Sequence, residues 1–325
     1  MTIGSELKEE DVKKFDYHLP KTLDEALNLF ASLKNCKYVA GGTDVFVDIK
    51  RKKIAPDNLI SLRNIEALKI IEKNGGIRIG SCVTHEEILK NEDIKRHYTA
   101  LHDAVKRLGS KQIRNVATIG GNICNAAPSA DTACPLLVFD CVVGIYGKKG
   151  ERKLSLDEFF LGPGMVSKEE DEIVTFFELC YLPKYSGSAY IKLTRREAMD
   201  LAIVSVASRL TFDLEEDILK VKETIANSDL KDMEEKIANL GIKVKQARIA
   251  MGVAAPTPLR AKEAETYLLG KVLDRDKIYE ASEIASSVAR PRDTIRGEAE
   301  YRREMIKVLT RRTLLLSVKR GLGLE

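Results

Sequence analysis

Val39-Ala40-Gly41-Gly42-Thr43-Asp44 and, about eighty residues later, Ala117-Thr118-Ile119-Gly120-Gly121-Asn122 decide how this chain is read. Paired glycines admit positive φ and close backbone approach, because no Cβ intervenes. Consecutive main-chain N–H groups then face one concavity that suits a phosphate. The neighbouring Thr and Asn add hydroxyl and amide groups for phosphate or sugar. A single Gly-Gly pair is more often a tight turn than a ligand site. Two of them, each flanked by Thr and by Asn or Asp, point to a ligand with two phosphates and a long body, a dinucleotide. The first turn lacks G-x-G-x-x-G spacing and an acidic residue ending a second strand, so a Rossmann fold is not supported.

Outward from the first turn, Thr22 reads as an N-cap and Glu25 as the partner of a capping box, opening a helix over 22–34. A strand, Tyr38-Val39-Ala40, enters the turn. Val45, Val47 and Ile49 then alternate before Lys50-Arg51-Lys52-Lys53 closes a small α/β unit. Residues 60–62 and 77–83 read as strands. Thr84 caps a short helix, and a longer one covers about 98–108. Beyond the second turn, Leu136 to Phe139 is apolar throughout and therefore buried, as helix or strand. Strands follow at 142–146 and 173–179, and Gly162-Pro163-Gly164 breaks a short helix begun at Ser155. The main domain boundary is placed in the turn-rich stretch 183–188. Residues 213–247 are highly charged with helical spacing, 247–254 is strand-like, and helices at 259–269, 275–289 and 298–320 finish the chain. Gly270 stops the first of these.

The chain has 325 residues, enough for two or three domains with their own cores. Its 53 basic and 49 acidic side chains nearly cancel, giving no general case for a nucleic-acid or anionic-membrane partner. The first fourteen residues lack the apolar stretch of a secretion signal, and no run approaches the ~20 apolar residues of a membrane span. A cytoplasmic protein is expected. Six cysteines are scattered without a C-x-x-C pair, so a disulfide framework is not expected. Cys124, Cys134 and Cys141 stand in apolar surroundings and read as core residues rather than cluster ligands. His18, His85, His97 and His102 have no nucleophile or carboxylate partner in the pattern and read as surface or helix-flank residues. No catalytic or metal-ligating residue is assigned.

In order, the two glycine turns, then Asn125-Ala126-Ala127-Pro128-Ser129-Ala130-Asp131, Phe159-Phe160-Leu161-Gly162-Pro163-Gly164 and Lys192-Leu193-Thr194-Arg195-Arg196 resemble the FAD-binding medium subunit of the xanthine dehydrogenase/molybdenum hydroxylase family. Ala255-Pro256-Thr257-Pro258-Leu259-Arg260-Ala261 and Arg296-Gly297-Glu298-Ala299-Glu300-Tyr301-Arg302 extend the resemblance over nearly the whole chain. It implies an α+β architecture: a vanillyl-alcohol-oxidase-type FAD-binding domain of two α/β subdomains (about 1–62 and 63–185), then a C-terminal α+β domain (186–325). The latter would hold a three-stranded antiparallel sheet and a helical bundle, with 213–247 as a charged helical insertion. Tyr38, Val39, Ala40, Gly41, Gly42, Thr43, Asp44 and Val45 would wrap the FAD diphosphate. By position, Leu108, Thr118, Gly120, Gly121, Asn122, Asp131, Val174 and Lys192 would also touch the cofactor. Asp131 would accept from sugar or ribityl hydroxyls, and Lys192 would stabilise negative charge on reduced flavin. Val in place of Gly42 is expected to abolish FAD retention by filling the concavity.

The same resemblance implies the partners. Substrate would be oxidised at a molybdopterin cofactor on a large subunit, and a small subunit would relay electrons through [2Fe–2S] clusters. This chain would pass them on to an external acceptor, in a dimer of heterotrimers. NAD, a quinone, ferredoxin and oxygen all stay open as acceptors. Between Cys124 and Cys134 there is no room for the [4Fe–4S] insertion of the 4-hydroxybenzoyl-CoA reductase branch. Two rival readings are a self-sufficient flavin oxidoreductase and an assembly subunit that has lost FAD. The tract 290–312 alternates Arg with Glu and reads as a helix stitched by i,i+4 pairs, with docking of the large subunit as the alternative.

Overall fold

Short strands rich in Ile, Val and Leu alternate with capped helices, and each group of strands closes its own apolar cluster. The computed structural model describes residues 13–73, 75–214 and 218–324. Its first sheet is parallel, with Asn58–Ser61 between Asp16–His18 and Cys36–Val39. Helix Leu23–Ser32 lies on it, burying Ala26 and Leu27. Thr22 Oγ1 accepts from the Glu25 N–H at 3.1 Å, and the Glu25 carboxylate reaches back to the Lys21 N–H at 2.7 Å. The cap is thus built as the sequence predicts, one residue further back on its second arm.

The second sheet is five-stranded and antiparallel, in the order Ile71–Lys73, Ile77–Gly80, Ile173–Leu179, Val142–Gly147, Gly150–Ser155. Helices His85–Lys90, Thr99–Lys106 and Ala133–Val138 share its core, which includes Phe139, Phe177 and Ile145. Cys134 and Cys141 are buried in that core and Cys124 packs against it. The third sheet is antiparallel: Ser186–Leu193, Val204–Leu214, Ile242–Gly252 and Leu259–Arg260. The expected three strands are therefore four, because the chain after Pro258 pairs briefly with Ala250 and Met251 before entering helix Lys262–Leu268. Helices Arg275–Val288 and Ala299–Gly321 complete this lobe. Tyr190, Ala207 and Ala250 of the third sheet also enter the core of the second.

Two stretches differ from expectation. Val45–Lys50 is a helix although its apolar residues alternate; only Ile49 is buried, while Phe46 and Val47 face outward. Two turns of helix are too short for a period to declare itself. The charged stretch 213–247 is not helical throughout. Strands run to Leu214 and restart at Ile242, and among the described residues between them Val221, Ile225, Met233, Ile237 and Leu240 are buried in the C-terminal core.

Candidate cofactor site

The first glycine turn leaves strand Cys36–Val39 and ends at helix Val45–Lys50. Gly42 sits at φ +75°, a region that a side chain rarely adopts, and its carbonyl accepts the Phe46 N–H at 3.0 Å. Among the described residues, the N–H groups of residues 41–45 donate to no protein acceptor. A run of free amides at one turn is an anion nest. Tyr38 anchors the entering strand, its ring stacked on Phe30 at 4.8 Å and its hydroxyl donating to the Asp171 carbonyl at 3.2 Å. Burial, with Asp48 nearby, pushes the Asp44 carboxyl up.

The two turns meet. A Cβ on Gly41 would lie 2.0 Å from the Val116 carbonyl oxygen and 2.9 Å from the Ala117 Cα. Backbone is in contact with backbone there, and Asn125 Nδ2 adds a 3.3 Å hydrogen bond to Asp44 Oδ2. Gly41 is therefore glycine because the second segment occupies the place of its side chain. At Gly42 a Cβ would strike the Phe46 ring at 2.5 Å instead of entering the concavity. Gly42→Val is therefore expected to act through backbone and ring strain rather than by filling the site.

The second turn offers far less than its sequence promises. The Ile119 N–H donates to Val83 O at 3.1 Å, Gly120 N–H to Ser81 O at 2.9 Å, Gly121 N–H to Thr118 Oγ1 at 3.1 Å and Asn122 N–H to Thr118 O at 3.0 Å. Helix Ile119–Cys124 starts inside the turn, with Thr118 as its cap, so its amides are already engaged. Gly120 has its own steric reason: a Cβ would lie 2.6 Å from the Ser81 carbonyl oxygen. Asn122 accepts from the Thr132 N–H and hydroxyl through Oδ1, which leaves its amide nitrogen as a donor.

Asp131, next to Thr132, is joined to the third sheet. Lys192 Nζ donates to Asp131 Oδ2 at 2.9 Å and the Tyr190 hydroxyl to Oδ1 at 3.0 Å, all buried. Burial pushes the Asp131 carboxyl up, against the opposing pull of Lys192 and Tyr190. Sequence spacing places these residues far apart, and the fold ties them into one triad. Val174 is buried in the second sheet, paired with Ile145. Its neighbour Thr175 accepts the Ser81 N–H at 2.9 Å, which connects it to Gly120. Leu108 is buried at the end of helix Thr99–Lys106, where its carbonyl accepts from Arg114 at 3.2 Å; among the described residues no hydrogen bond joins it to either turn.

Sequence reading misses three groups around the second turn. Ser81 Oγ, Thr175 Oγ1 and both ring nitrogens of His85 are buried without a hydrogen-bond partner. Ser81 lies in a run of small residues with no periodic signal. His85 is the first residue of its helix, as a helix-flank reading allows, yet it is wholly buried, with its N–H on Ala117 O at 3.0 Å. Burial, helped by Arg114, pushes its pKa down to about 3. The unfolded chain protonates near pH 6.5. Stability present above that pH is therefore lost as pH falls toward 3, by about 2 kcal/mol between pH 6.5 and 5. Chemical denaturation at both pH values measures this, and His85→Phe is expected to flatten the acid limb.

Residues 13–182 match the family described as FAD binding domain in molybdopterin dehydrogenase, and residues 237–317 the CO dehydrogenase flavoprotein C-terminal domain. The chain is 33% identical over 301 residues to the putative xanthine dehydrogenase FAD-binding subunit of Escherichia coli K12, covering 92% of this chain and 94% of that one. It is 27% identical over 303 residues to the carbon monoxide dehydrogenase medium chain of Hydrogenophaga pseudoflava, covering 93% and 96%. A structure of that organism's carbon monoxide dehydrogenase lacking the Mo-pyranopterin moiety superposes with TM-score 0.83 at 27% identity, over 95% of this chain and 99% of that one. Quinoline 2-oxidoreductase from Pseudomonas putida 86 shares the fold, with TM-score 0.82 at 23% identity, over 96% and 99%. This chain belongs to the family of FAD-binding subunits of the molybdenum hydroxylases, a class of oxidoreductase flavoproteins with α+β architecture. The free amides of residues 41–45 and the backbone contact at Gly41 fit a diphosphate-bearing cofactor. No helix of the described residues is long and apolar enough to cross a membrane.

Proposed function

We propose that this chain is the electron-transfer subunit of a molybdenum hydroxylase. It receives electrons from [2Fe–2S] clusters of a small partner subunit and delivers them to an external acceptor, while substrate is oxidised on a large molybdopterin-binding subunit. The assembly is a dimer of heterotrimers in the cytoplasm. Residues 1–185 form the FAD-binding domain and 186–325 the C-terminal flavoprotein domain. Bound FAD supplies redox chemistry that runs in one- and two-electron steps.

The observation that carries this reading is the set of unengaged amides at residues 41–45, held against the segment 116–117. In this reading those amides bind the diphosphate, and Thr43 and Asp44 contribute side-chain contacts. Asn122 donates through its amide nitrogen. Tyr38, Val39, Ala40, Thr118, Gly120, Gly121, Leu108 and Val174 shape the walls. The Lys192–Asp131–Tyr190 triad stands at the flavin end, where the ammonium opposes negative charge on the reduced ring and the carboxylate orients it.

The test is made on the chain copurified with both partners. About one FAD per chain is expected on release, and the flavin absorbance should bleach on addition of substrate only when the iron–sulfur subunit is present. Bleaching without that subunit would contradict the relay and favour a self-sufficient oxidoreductase; absence of FAD would remove the reading altogether.

A further inference from the structure

The start of the tract 290–312 is not the stitched helix that its alternating charges suggest. Residues 290–298 form an irregular segment, and the helix begins only at Ala299. Within the segment Thr294 and Gly297 exchange two 3.1 Å main-chain hydrogen bonds, closing a tight turn that presents Ile295 at 92% exposure. The turn is buttressed. Buried Arg302 donates to Thr294 Oγ1 at 2.6 Å, and a Cβ on Gly297 would lie 3.1 Å from Ile203 and 3.8 Å from Tyr301. Ile295 is thus a fixed apolar projection rather than a loose tip. Exposed Tyr301 stands beside Gly297, and exposed Met199 and Leu201 precede Ile203 in the adjoining loop.

Arg292 is exposed and Arg296 partly so, whereas Arg302 is buried. Among the described residues, no carboxylate lies within ion-pair distance of Arg292, Arg296 or Arg302. Of the acids in these two stretches, Asp293 accepts the Ala299 N–H and Asp200 those of Arg195 and Leu201, while Glu197, Glu298 and Glu300 are exposed. Burial, and repulsion from Arg296 and Arg292, push the Arg302 pKa down. Exposed Ile, Tyr and Met in the same two stretches as the unpaired Arg292 and Arg296 have the composition of a protein-binding hot spot. Its complement is an apolar pocket rimmed with carboxylates.

The patch also adjoins the cofactor end of the third sheet. Ile203 N–H donates to Leu193 O at 2.8 Å, one residue from Lys192. Electron transfer slows steeply with distance, so a donor protein has to dock beside the flavin. We propose that the turn 290–298 and the loop 194–203 form the docking surface for the iron–sulfur subunit, with Ile295 as its apolar knob and Arg292 and Arg296 as its charged rim. This rests on the relay reading above.

The test uses the three-chain complex, with Ile295→Asp and, separately, the double variant Arg292→Glu/Arg296→Glu. Each is expected to weaken retention of the iron–sulfur subunit at least tenfold, measured by its Kd and by iron per flavin. FAD per chain should be unchanged, and the double variant should lose the salt dependence of association expected of the wild type. Retention within twofold of wild type in both variants overturns the proposal, as does loss of the molybdopterin subunit while the iron–sulfur subunit stays. If the wild-type chain itself holds FAD but never binds an iron–sulfur subunit, the relay reading falls and this surface with it.

Discussion

Gly41→Ala is expected to release FAD. One methyl group at this position meets the Val116 carbonyl oxygen at 2.0 Å, and both sides of that contact are backbone. No rotamer change relieves it, so the two segments must separate. Overpacking of this kind costs about 1–3 kcal/mol of stability. The larger effect falls on the cofactor, because separation tilts the whole run of free amides away from its place beside residues 116–117. A loss of affinity of at least a hundredfold, about 3 kcal/mol, is expected in a titration of the FAD-stripped chain. Gly121→Ala is the control: its Cβ would meet only Thr118 Oγ1, at 3.2 Å. FAD binding unchanged in Gly41→Ala would show that the contact between the segments has no part in the site.

Lys192→Met should be the most destabilising single change in the buried triad. It strands the Asp131 carboxylate, nearly inaccessible to water, with only the Tyr190 hydroxyl as partner. Breaking a buried pair from one side costs about 3–5 kcal/mol. Replacing both partners, as in Lys192→Met with Asp131→Asn, removes the stranded charge and should recover most of that loss. The stability readout is denaturant unfolding of the apo-chain. The functional readout is the flavin reduction potential, which is expected to fall in both variants if, as the proposed function has it, the Lys192 cation opposes negative charge on the reduced ring. A potential unmoved in the folded double variant would make the triad purely structural.

How much of this was legible in the sequence depends on the range of the signal. Local signals translated directly: the Thr84 cap became a capping box with Glu87, and the strand read at 173–179 has those bounds. The glycine turns were legible as turns, and their order along the chain carried the family. What each turn does was not legible. The second turn's amides are engaged by Ser81 and Val83, whose position beneath it is set by the second sheet and leaves no trace in the motif. The pairing of Lys192 with Asp131 spans 61 residues and joins the third sheet to a turn, so only the family resemblance named both. His85 looked like a flank residue because helix starts usually face water; here the start lies under residues 117–118. Leu259 and Arg260 form a strand through a partner that no local pattern specifies.

The account rests on an asymmetry between the two turns: residues 41–45 have main-chain donors to offer, and residues 119–122 do not. Amide hydrogen exchange of the apo-chain, repeated with saturating FAD, measures that directly. The prediction is fast exchange at residues 41–45 without FAD and strong protection with it, while residues 119–122 are protected in both states. Protection gained on FAD binding at 119–122, with 41–45 unchanged, would contradict it.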